Sequence, residues 1–432
     1  METKLAKIQL ASQNNPKAVF NSIYHMIDKE LLRECHRRLD GNKAKGIDNI
    51  SKEAYGENLE RNLDTLIQKL KRHSYKPEAS LRVYIPKANG KRRPLGISTY
   101  EDKLVQYGLK CVLEAVFGPR FLNNMYGFRP NKSCHDAIKD LGKVIEKGKI
   151  CYVLDADIKG FFNNLDHDWL IKFVGVHITD PNIIRLIKKI LRVTISESGK
   201  LKNAEKGVEQ GSLCSPILAN IYMHYVLNLW FYKVVKPQLR GQGELIIYAD
   251  DFVGCFQYKS DAEMFKEALS NRLGQFGLEL EAEKTRLICF GKYAESMCKE
   301  RGKRKPDTFD FLGFTHICGK SRYGRFRIKR KTSKKKFNLK LKEMNIWIRN
   351  HRNQNLKELI EQINLKLIGH FRYFGITDNI SMLNKYLHKT SEFLYKWLNR
   401  RSQKRSYTSK AFNQMLKVYP LAKPKIYVNV YQ

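Results

Sequence analysis

ELIIYADDFVGCF, residues 244–256, is the stretch that decides the fold. Two apolar, β-prone runs, Leu245–Ile247 and Phe252–Val253, flank Tyr248-Ala249-Asp250-Asp251. The pattern predicts two short strands about a tight turn. Acidic residues set between apolar strand runs are costly to bury unless something pairs them. A divalent cation is the natural partner for several oxygens meeting at one point. ICYVLDADI (150–158) is a second example, an apolar strand ending in Asp155-Ala156-Asp157. Two such strands, distant in sequence, can build a site for two metal ions about 3.5–4 Å apart, which clamps the attacking and leaving oxygens of a phosphoryl transfer. The competing reading is Asp in its ordinary role of filling turns and capping helices. For Asp155 the sequence leaves both readings open.

Outward from these strands the chain alternates in type. Residues 18–75 predict helices, with Val19, Ile23, Met26, Ile27, Leu31 and Leu32 at helical spacing. LRVYIPK (81–87) and KRRPLGI (91–97) flank Ala88-Asn89-Gly90, and Asn-Gly between alternating runs signals a hairpin. Helices are expected at 101–118, 132–147, 216–231 and 261–276, and strands at 278–290 and 307–318. Three further helices are expected near 334–349, 355–374 and 380–400. The middle one carries Leu356, Leu359, Ile360, Ile363, Leu367, Ile368 and Phe371 on one face, which predicts a three-helix unit.

Composition narrows the partners. The 432 residues are 42% hydrophobic and 11% aromatic, enough to fill real cores, so global disorder is excluded. At roughly 100–200 residues per domain, two to four packed units are expected. No apolar run approaches the ~18 residues of a membrane span, and the N-terminus has no signal-peptide core. The nine Cys are scattered singly without a C-x-x-C, which predicts reduced thiols rather than a disulfide framework or a zinc site; Cys289, Cys298 and Cys318 read as core or incidental thiols. Lys and Arg number 80 against 43 Asp and Glu, a net charge of +37. Self-repulsion on that scale calls for a polyanion, nucleic acid first and an anionic membrane surface second. Residues 301–432 hold 32 Lys and Arg against 7 Asp and Glu, a net of +25, which leaves +12 for residues 1–300. KSRYGRFRIKRKTSKKKFNLKLK (320–342) has no acidic residue and interleaves Tyr323, Phe326 and Phe337 with its cations. Aromatics among cations offer base stacking as well as phosphate contact.

Tyr248-Ala249-Asp250-Asp251 between apolar strands resembles the catalytic motif of reverse transcriptases. The likeness extends through GIDNIS (46–51), RRPLGI (92–97), YGFRP (126–130), DADIKGFFNNLDH (155–167), QGSLCSPILAN (210–220), EAEKTRLICFG (281–291) and FDFLGF (309–314). In order and spacing these resemble the bacterial group II intron reverse transcriptase/maturase family. GHFRYFGITDN (369–379) and LYKWLNRRSQKRSY (394–407) resemble that family's thumb, or maturase, region. The resemblance implies an α+β right-hand polymerase: an N-terminal helical extension of the fingers (1–75), fingers (76–148), a palm of antiparallel strands and helices (149–318), a basic thumb/maturase domain (319–405) and a short tail (406–432). It implies an RNA-directed DNA polymerase using two Mg²⁺ ions, with Mn²⁺ able to substitute. The partners are an RNA template (a group II intron RNA), a DNA primer or target, and deoxynucleoside triphosphates. The setting implied is the bacterial cytoplasm or nucleoid, with no membrane association.

Site roles follow by the same resemblance. Asp157, Asp250 and Asp251 form the catalytic set and, with the Ile158 carbonyl, the metal ligands. Lys87 and Arg93 flank the fingers hairpin and hold the triphosphate. Phe162 packs against the sugar and rejects a 2′-OH. Gln210 and Gly211 line the nucleotide pocket, and Lys284 is placed to protonate the departing pyrophosphate. Arg129, Phe311, Gly313, Lys329, Arg330 and Lys334 are the template and primer contacts.

The sequence departs from the family at Asn49, where Gly is usual, and at Asn163, where Asp is usual. Neither position should hold the catalytic metals. The residues beyond the thumb-like segment carry no His and paired-Cys pattern, so the expectation is a chain that does not nick its own DNA target and starts from an existing 3′ end. Other roles fit the same motifs. One is a free-standing polymerase in phage defence or repair, and another is an RNA-binding splicing cofactor with a dead site, which an intact Asp set argues against. A third is an RNA-dependent RNA polymerase, which Phe162 argues against.

Overall fold

The computed structural model describes residues 2–86, 92–197, 199–202, 206–300, 302, 304–403 and 406–431. Among them the strands are β1 (Ser80–Pro86), β2 (Arg92–Ile97), β3 (Tyr152–Asp157), β4 (Ile195–Glu197), β5 (Lys200–Lys202), β6 (Gly243–Tyr248), β7 (Asp251–Phe256), β8 (Arg286–Cys289), β9 (Phe309–Phe311), β10 (Phe314–Lys320) and β11 (Phe326–Thr332). They form three sheets, ordered β2-β1-β4-β5, β6-β7-β3-β8 and β11-β10-β9. Helices surround the sheets, so the α+β class holds.

The β6-β7-β3-β8 sheet is antiparallel throughout and supports the site. Its strands alternate, so each gives one face to each of two cores. Leu154, Ala156, Leu245, Ile247, Phe252 and Phe256 join the main core, where the Lys259–Gln275 helix packs across β3 and β7 with Ala262, Phe265, Leu269 and Leu273 buried. On the opposite face Val153, Ile246, Val253, Cys255 and Ile288 form a second core with Ala137, Leu141 and Ile145 of the Cys134–Lys147 helix and with Phe309, Phe311 and Ile328 of the third sheet. A third core holds the helices Lys334–His351, Leu356–Phe374 and Ile380–Leu398. These three match the expected unit, each starting one residue after an Asn or Ser. Ser333 and Asn355 accept a hydrogen bond from a first-turn amide, the usual N-cap arrangement.

The structure corrects several expectations. Residues 18–28 are not a continuous helix; only Tyr24–Met26 makes a 3₁₀ turn, and Val19 is 52% exposed. The helix starts at Lys29, because the Asp28 side chain accepts from the Leu31 amide and caps it there. An unexpected helix, Glu2–Asn14, packs on the Tyr100–Phe117 helix. β4 and β5 were not expected; β4 pairs in parallel with β1. Strand within 278–290 is confined to β8, and the boundary expected between 318 and 319 falls inside β10, which pairs with β11 along its whole length. The tail includes a helix, Ser409–Val418, whose Phe412 and Met415 join the thumb core. Asn49 has φ 53°, a left-handed conformation that Asn tolerates better than most residues, so it can stand in for Gly.

Arg330 is the largest correction. On β11 it alternates with exposed Lys329 and Lys331, and it is 1% exposed. Its guanidinium donates to the carbonyls of Ile328 at 3.1 Å and Ile138 at 3.3 Å and lies over the Tyr431 ring. It therefore ties the third sheet to the Cys134–Lys147 helix instead of meeting nucleic acid. Gly142 on that helix makes the room, since a Cβ there would lie 2.2 Å from Arg330 Nη2. Gly142→Val should lower unfolding stability by about 1–3 kcal/mol in denaturant titration, the usual cost of overpacking. An unchanged midpoint would mean that Arg330 is free to move aside.

Candidate active site

The site sits at one end of the β6-β7-β3-β8 sheet. The register places Asp157 directly opposite Asp251 and Asp155 opposite Arg286. The Asp157 carbonyl accepts from the Glu281 amide at 2.8 Å, on the β8 side. Its main-chain groups therefore point away from β7, and Asp157 and Asp251 form a non-hydrogen-bonded pair, the narrower of the two antiparallel pairings. Two carboxylates are thus held side by side on one face. Ile158 follows the opposite rule. Lys159 donates to the Glu279 carbonyl at 2.9 Å, so the Ile158 carbonyl between these two bonds points to the other side, toward the Tyr248–Asp251 hairpin.

That hairpin is a two-residue turn, closed by Tyr248 pairing with Asp251. Ala249 has φ 56°, where Gly would be at ease. A left-handed residue of this kind costs about 1–2 kcal/mol, and the surroundings hold it in place. Tyr126 donates to the Ile247 carbonyl, and Ile247 donates to the Asn124 carbonyl, both at 2.9 Å, so residues 124–126 add a short parallel rung to β6 at the start of YGFRP. Gly127 lies so close that a Cβ would be 2.4 Å from the Ala249 nitrogen. Asn220 Nδ2 in turn donates to the Gly127 carbonyl at 2.8 Å. Gly127 lies in YGFRP and Asn220 ends QGSLCSPILAN, yet local pattern gives neither a role, because their contacts are made only in the fold.

Electrostatics follow from this crowding. Burial pushes Asp251 up to about 7, with the Asp250, Asp157 and Asp155 charges adding to the effect. Asp251 still reaches solvent at the cleft mouth; the protein packed around its carboxyl removes water without sealing it. Burial raises Asp250 also, and the positive charges of Arg93 and Lys284 partly offset the rise. The charge of Arg93, on β2 of the fingers hairpin, is therefore felt at the turn. Lys284 pairs with Asp157, which raises the lysine's pKa. Asp155 pairs with Arg286 at 3.2 Å. Asp155 lies inside β3, so it neither fills a turn nor caps a helix.

The donor set suits a hard cation: three carboxylates and a main-chain carbonyl, all oxygen. Among the described residues no three His, Cys, Asp or Glu side chains already form a cage. Lys284 is the counter-ion of Asp157 and would have to yield that oxygen to a metal.

The other expected residues divide into two groups. Phe162, Gln210 and Gly211 come together with β2. Val208 donates to the Phe162 carbonyl at 2.7 Å, and Gly96 donates to the Gln210 carbonyl at 2.8 Å. Gly211, at φ 122°, lies against Gly96, whose oxygen would be 2.3 Å from a Cβ. Lys87 and the Ala88-Asn89-Gly90 turn lie outside the described residues. Lys329 and Lys334 are exposed on the basic face, as is Tyr323 at 85%. Phe311 is buried in the second core, because the inward register of β9 points it there. Arg129 donates to the carbonyls of Leu122, Met125 and Gly118 at 2.8–3.2 Å, so it fastens its own loop instead of contacting a template. Gly313 takes φ 81° in the β9–β10 turn and faces Tyr373, Phe374 and Lys336 of the thumb.

A sheet with paired carboxylates at its edge, a cationic hairpin whose charge is felt there and a basic helical unit beyond defines a right-hand polymerase. Residues 85–316 match the reverse transcriptase (RNA-dependent DNA polymerase) family, and residues 334–416 match the group II intron maturase-specific domain. The chain belongs to the reverse transcriptase family. It is 35% identical over 231 residues to the group II intron-encoded protein LtrA of Lactococcus lactis subsp. cremoris, covering 52% of this chain and 38% of that protein. It is 33% identical over 225 residues to a 91 kDa protein in the cob intron of Schizosaccharomyces pombe, covering 51% and 28% of the two chains. Protein YkfC of Escherichia coli is 29% identical over 324 residues, 67% of this chain and 80% of that one. The chain thus spans well under half the length of the first two. No helix among the described residues is long and apolar enough to cross a membrane.

Removing one of two opposed carboxylates should relieve repulsion in the metal-free protein. With chelator present, Asp251→Asn should gain about 1 kcal/mol or less in denaturant titration above pH 7. The sign follows from linkage: a carboxyl raised from 3.8 to about 7 makes the folded state bind more protons, so its cost grows as pH rises through that window. The gain should fade as pH falls to about 4, where the group protonates in folded and unfolded chains alike.

Proposed function

We propose that this chain is an RNA-directed DNA polymerase of the group II intron type, copying an intron RNA from a DNA primer, and that it also acts as a maturase for that RNA. The observation that carries the reading is the register that sets Asp157 beside Asp251, with Asp250 in the adjoining turn and the charges of Arg93 and Lys284 felt there. The family match over the polymerase body and the maturase-domain match over the basic helical unit support the two halves of the proposal.

Two Mg²⁺ ions, or Mn²⁺ in their place, would be held by Asp157, Asp250, Asp251 and the Ile158 carbonyl; when bound they lower the pKa of the primer 3′-OH and neutralise the triphosphate and the departing pyrophosphate. The chain's own residues do the rest. Arg93 offers a bidentate fork to the triphosphate, and Lys87 a point charge. Phe162 presses on the sugar where a 2′-OH would project, which selects deoxynucleotides. Gln210 and Gly211 bring main chain up to the base. Lys284, once released from Asp157, has a proton to give the leaving pyrophosphate. Lys329 and Lys334, with exposed Tyr323 nearby, supply phosphate contact and stacking for the template–primer duplex or the intron RNA. The fingers and palm divide near residue 148, the palm and thumb after β11, and the working compartment is the bacterial cytoplasm.

Primer extension on an RNA template with Mg²⁺ and deoxynucleotides tests the reading. Wild-type protein should extend, and Asp157→Ala or Asp250→Ala should lower extension at least about a thousandfold while RNA binding persists. Loss of RNA binding in those variants would instead make the carboxylates structural. Phe162→Ala should raise ribonucleotide use relative to deoxynucleotide roughly tenfold or more; an unchanged ratio removes Phe162 from sugar selection.

A further inference from the structure

Glu209 precedes the Gln210-Gly211 turn and has no role in the scheme above. The charged groups that act on it are Arg82 and Asp102, whose effects oppose each other. Oε2 accepts from Ser80 Oγ on β1 at 2.7 Å. Oε1 is sealed from solvent and has no partner among the described residues. Burial pushes the Glu209 carboxyl above the usual carboxylate range. A cavity of about 10 Å³, room for about one water, lies beside it and is lined in part by Gln106, Ser212 and Ser215.

The carboxyl fills space that β2 leaves open. A Cβ on Gly96 would lie 1.7 Å from Glu209 Oε1, so the missing side chain of Gly96 is what admits the carboxyl. Gly96 is bonded to the turn through the Gln210 carbonyl and pressed by Gly211. Arg93 stands three residues earlier on the same strand. The far end of the turn is fixed separately: Leu213 donates to Gln106 Oε1 at 3.1 Å, and Gln106 Nε2 donates to Ser98 Oγ at 3.0 Å. Glu209 is therefore the side chain that joins β1, β2 and the near end of the turn at once.

We infer that Glu209 is a positioning residue for the incoming nucleotide: through Ser80 and Gly96 it fixes the distance between the fingers hairpin that bears Arg93 and the Gln210-Gly211 turn. This rests on the reading of that turn and of Arg93 as the nucleotide pocket. A group that sets spacing should act on nucleotide affinity and leave the chemical step, template binding and global stability nearly alone.

The test compares Glu209→Ala, Glu209→Gln and Ser80→Ala in primer extension, with hydrogen exchange on the full-length chain as a second readout. Glu209→Ala should raise the KM for deoxynucleotide roughly tenfold with kcat within about twofold, the mark of lost binding and not lost chemistry. Glu209→Gln, which keeps the shape and the acceptor for Ser80, should stay near wild type, and Ser80→Ala should fall between. Gly96→Ala should be severe alone yet add little to Glu209→Ala, because the space it invades is already vacant. In exchange, the amides of Gly96 and Ser212 should open faster in Glu209→Ala and not in Glu209→Gln, while that of Leu213, held by Gln106, should not change. An unchanged KM in Glu209→Ala, equal damage from Ala and Gln, or a fall in kcat at fixed KM overturns the inference. If Glu209→Ala does not fold, an unmoved KM in Ser80→Ala does so. Should wild-type protein extend no primer, the polymerase reading falls, and unchanged exchange in Glu209→Ala separately rejects the positioning role.

Discussion

Two carboxylates held opposite each other in the narrow antiparallel pairing of β3 and β7 are the constraint on which the rest of the structure depends. Asp157 and Asp251 repel, and the burial around them makes the repulsion worse. Nothing local to those strands offsets it. The compensation comes from neighbours. Lys284, in the turn before β8, and Arg286, on β8, meet Asp157 and Asp155 in turn. The strained Ala249 turn is held by Gly127, and Gly127 by Asn220. A site that costs stability is typical where function needs groups that would otherwise avoid one another.

The same strand alternation explains why the site lies at an edge. One face of β3, β7 and β8 carries Asp157, Asp251 and Arg286 at one end, and Val153, Val253 and Ile288 farther along. The apolar part is covered by the Cys134–Lys147 helix and the third sheet. The acidic end stays uncovered, because burying it would leave charges without partners. The cleft thus begins where the apolar cover stops. Arg330 anchors that cover, which is why a cation in the most basic stretch of the chain is turned inward.

Much of this was legible in the sequence. The Tyr248–Asp251 turn between apolar runs, the strand ending at Asp157 and the three thumb helices all fall where local pattern put them. The signals were strong because each is local: alternation for strands, 3.6-residue spacing for helices, Asp at strand ends. Alternation also contained the answer for Arg330, which shares parity with Ile328 and Thr332; the density of charge around it masked that signal. Phe311 was misjudged because motif resemblance outweighed its place on an inward-facing strand. Arg129 could not have been read correctly, because three carbonyls of its own loop reach it only once the chain has turned back.

The sequence by itself determined the class of this protein, because eight motifs in order, an acidic pair in apolar strands and a +37 charge are properties of the linear chain. It also singled out Asp157, Asp250 and Asp251 as the candidate set. Only the tertiary structure decided how they stand: that Asp157 faces Asp251 in the narrow pairing, that Asp155 is given to Arg286, and that Glu209 joins two strands to a turn. Those outcomes depend on strand register and on space left by Gly96, Gly127 and Gly142. Register is set by contacts between residues far apart in the chain, and a glycine's vacant volume acquires meaning only when another segment moves into it.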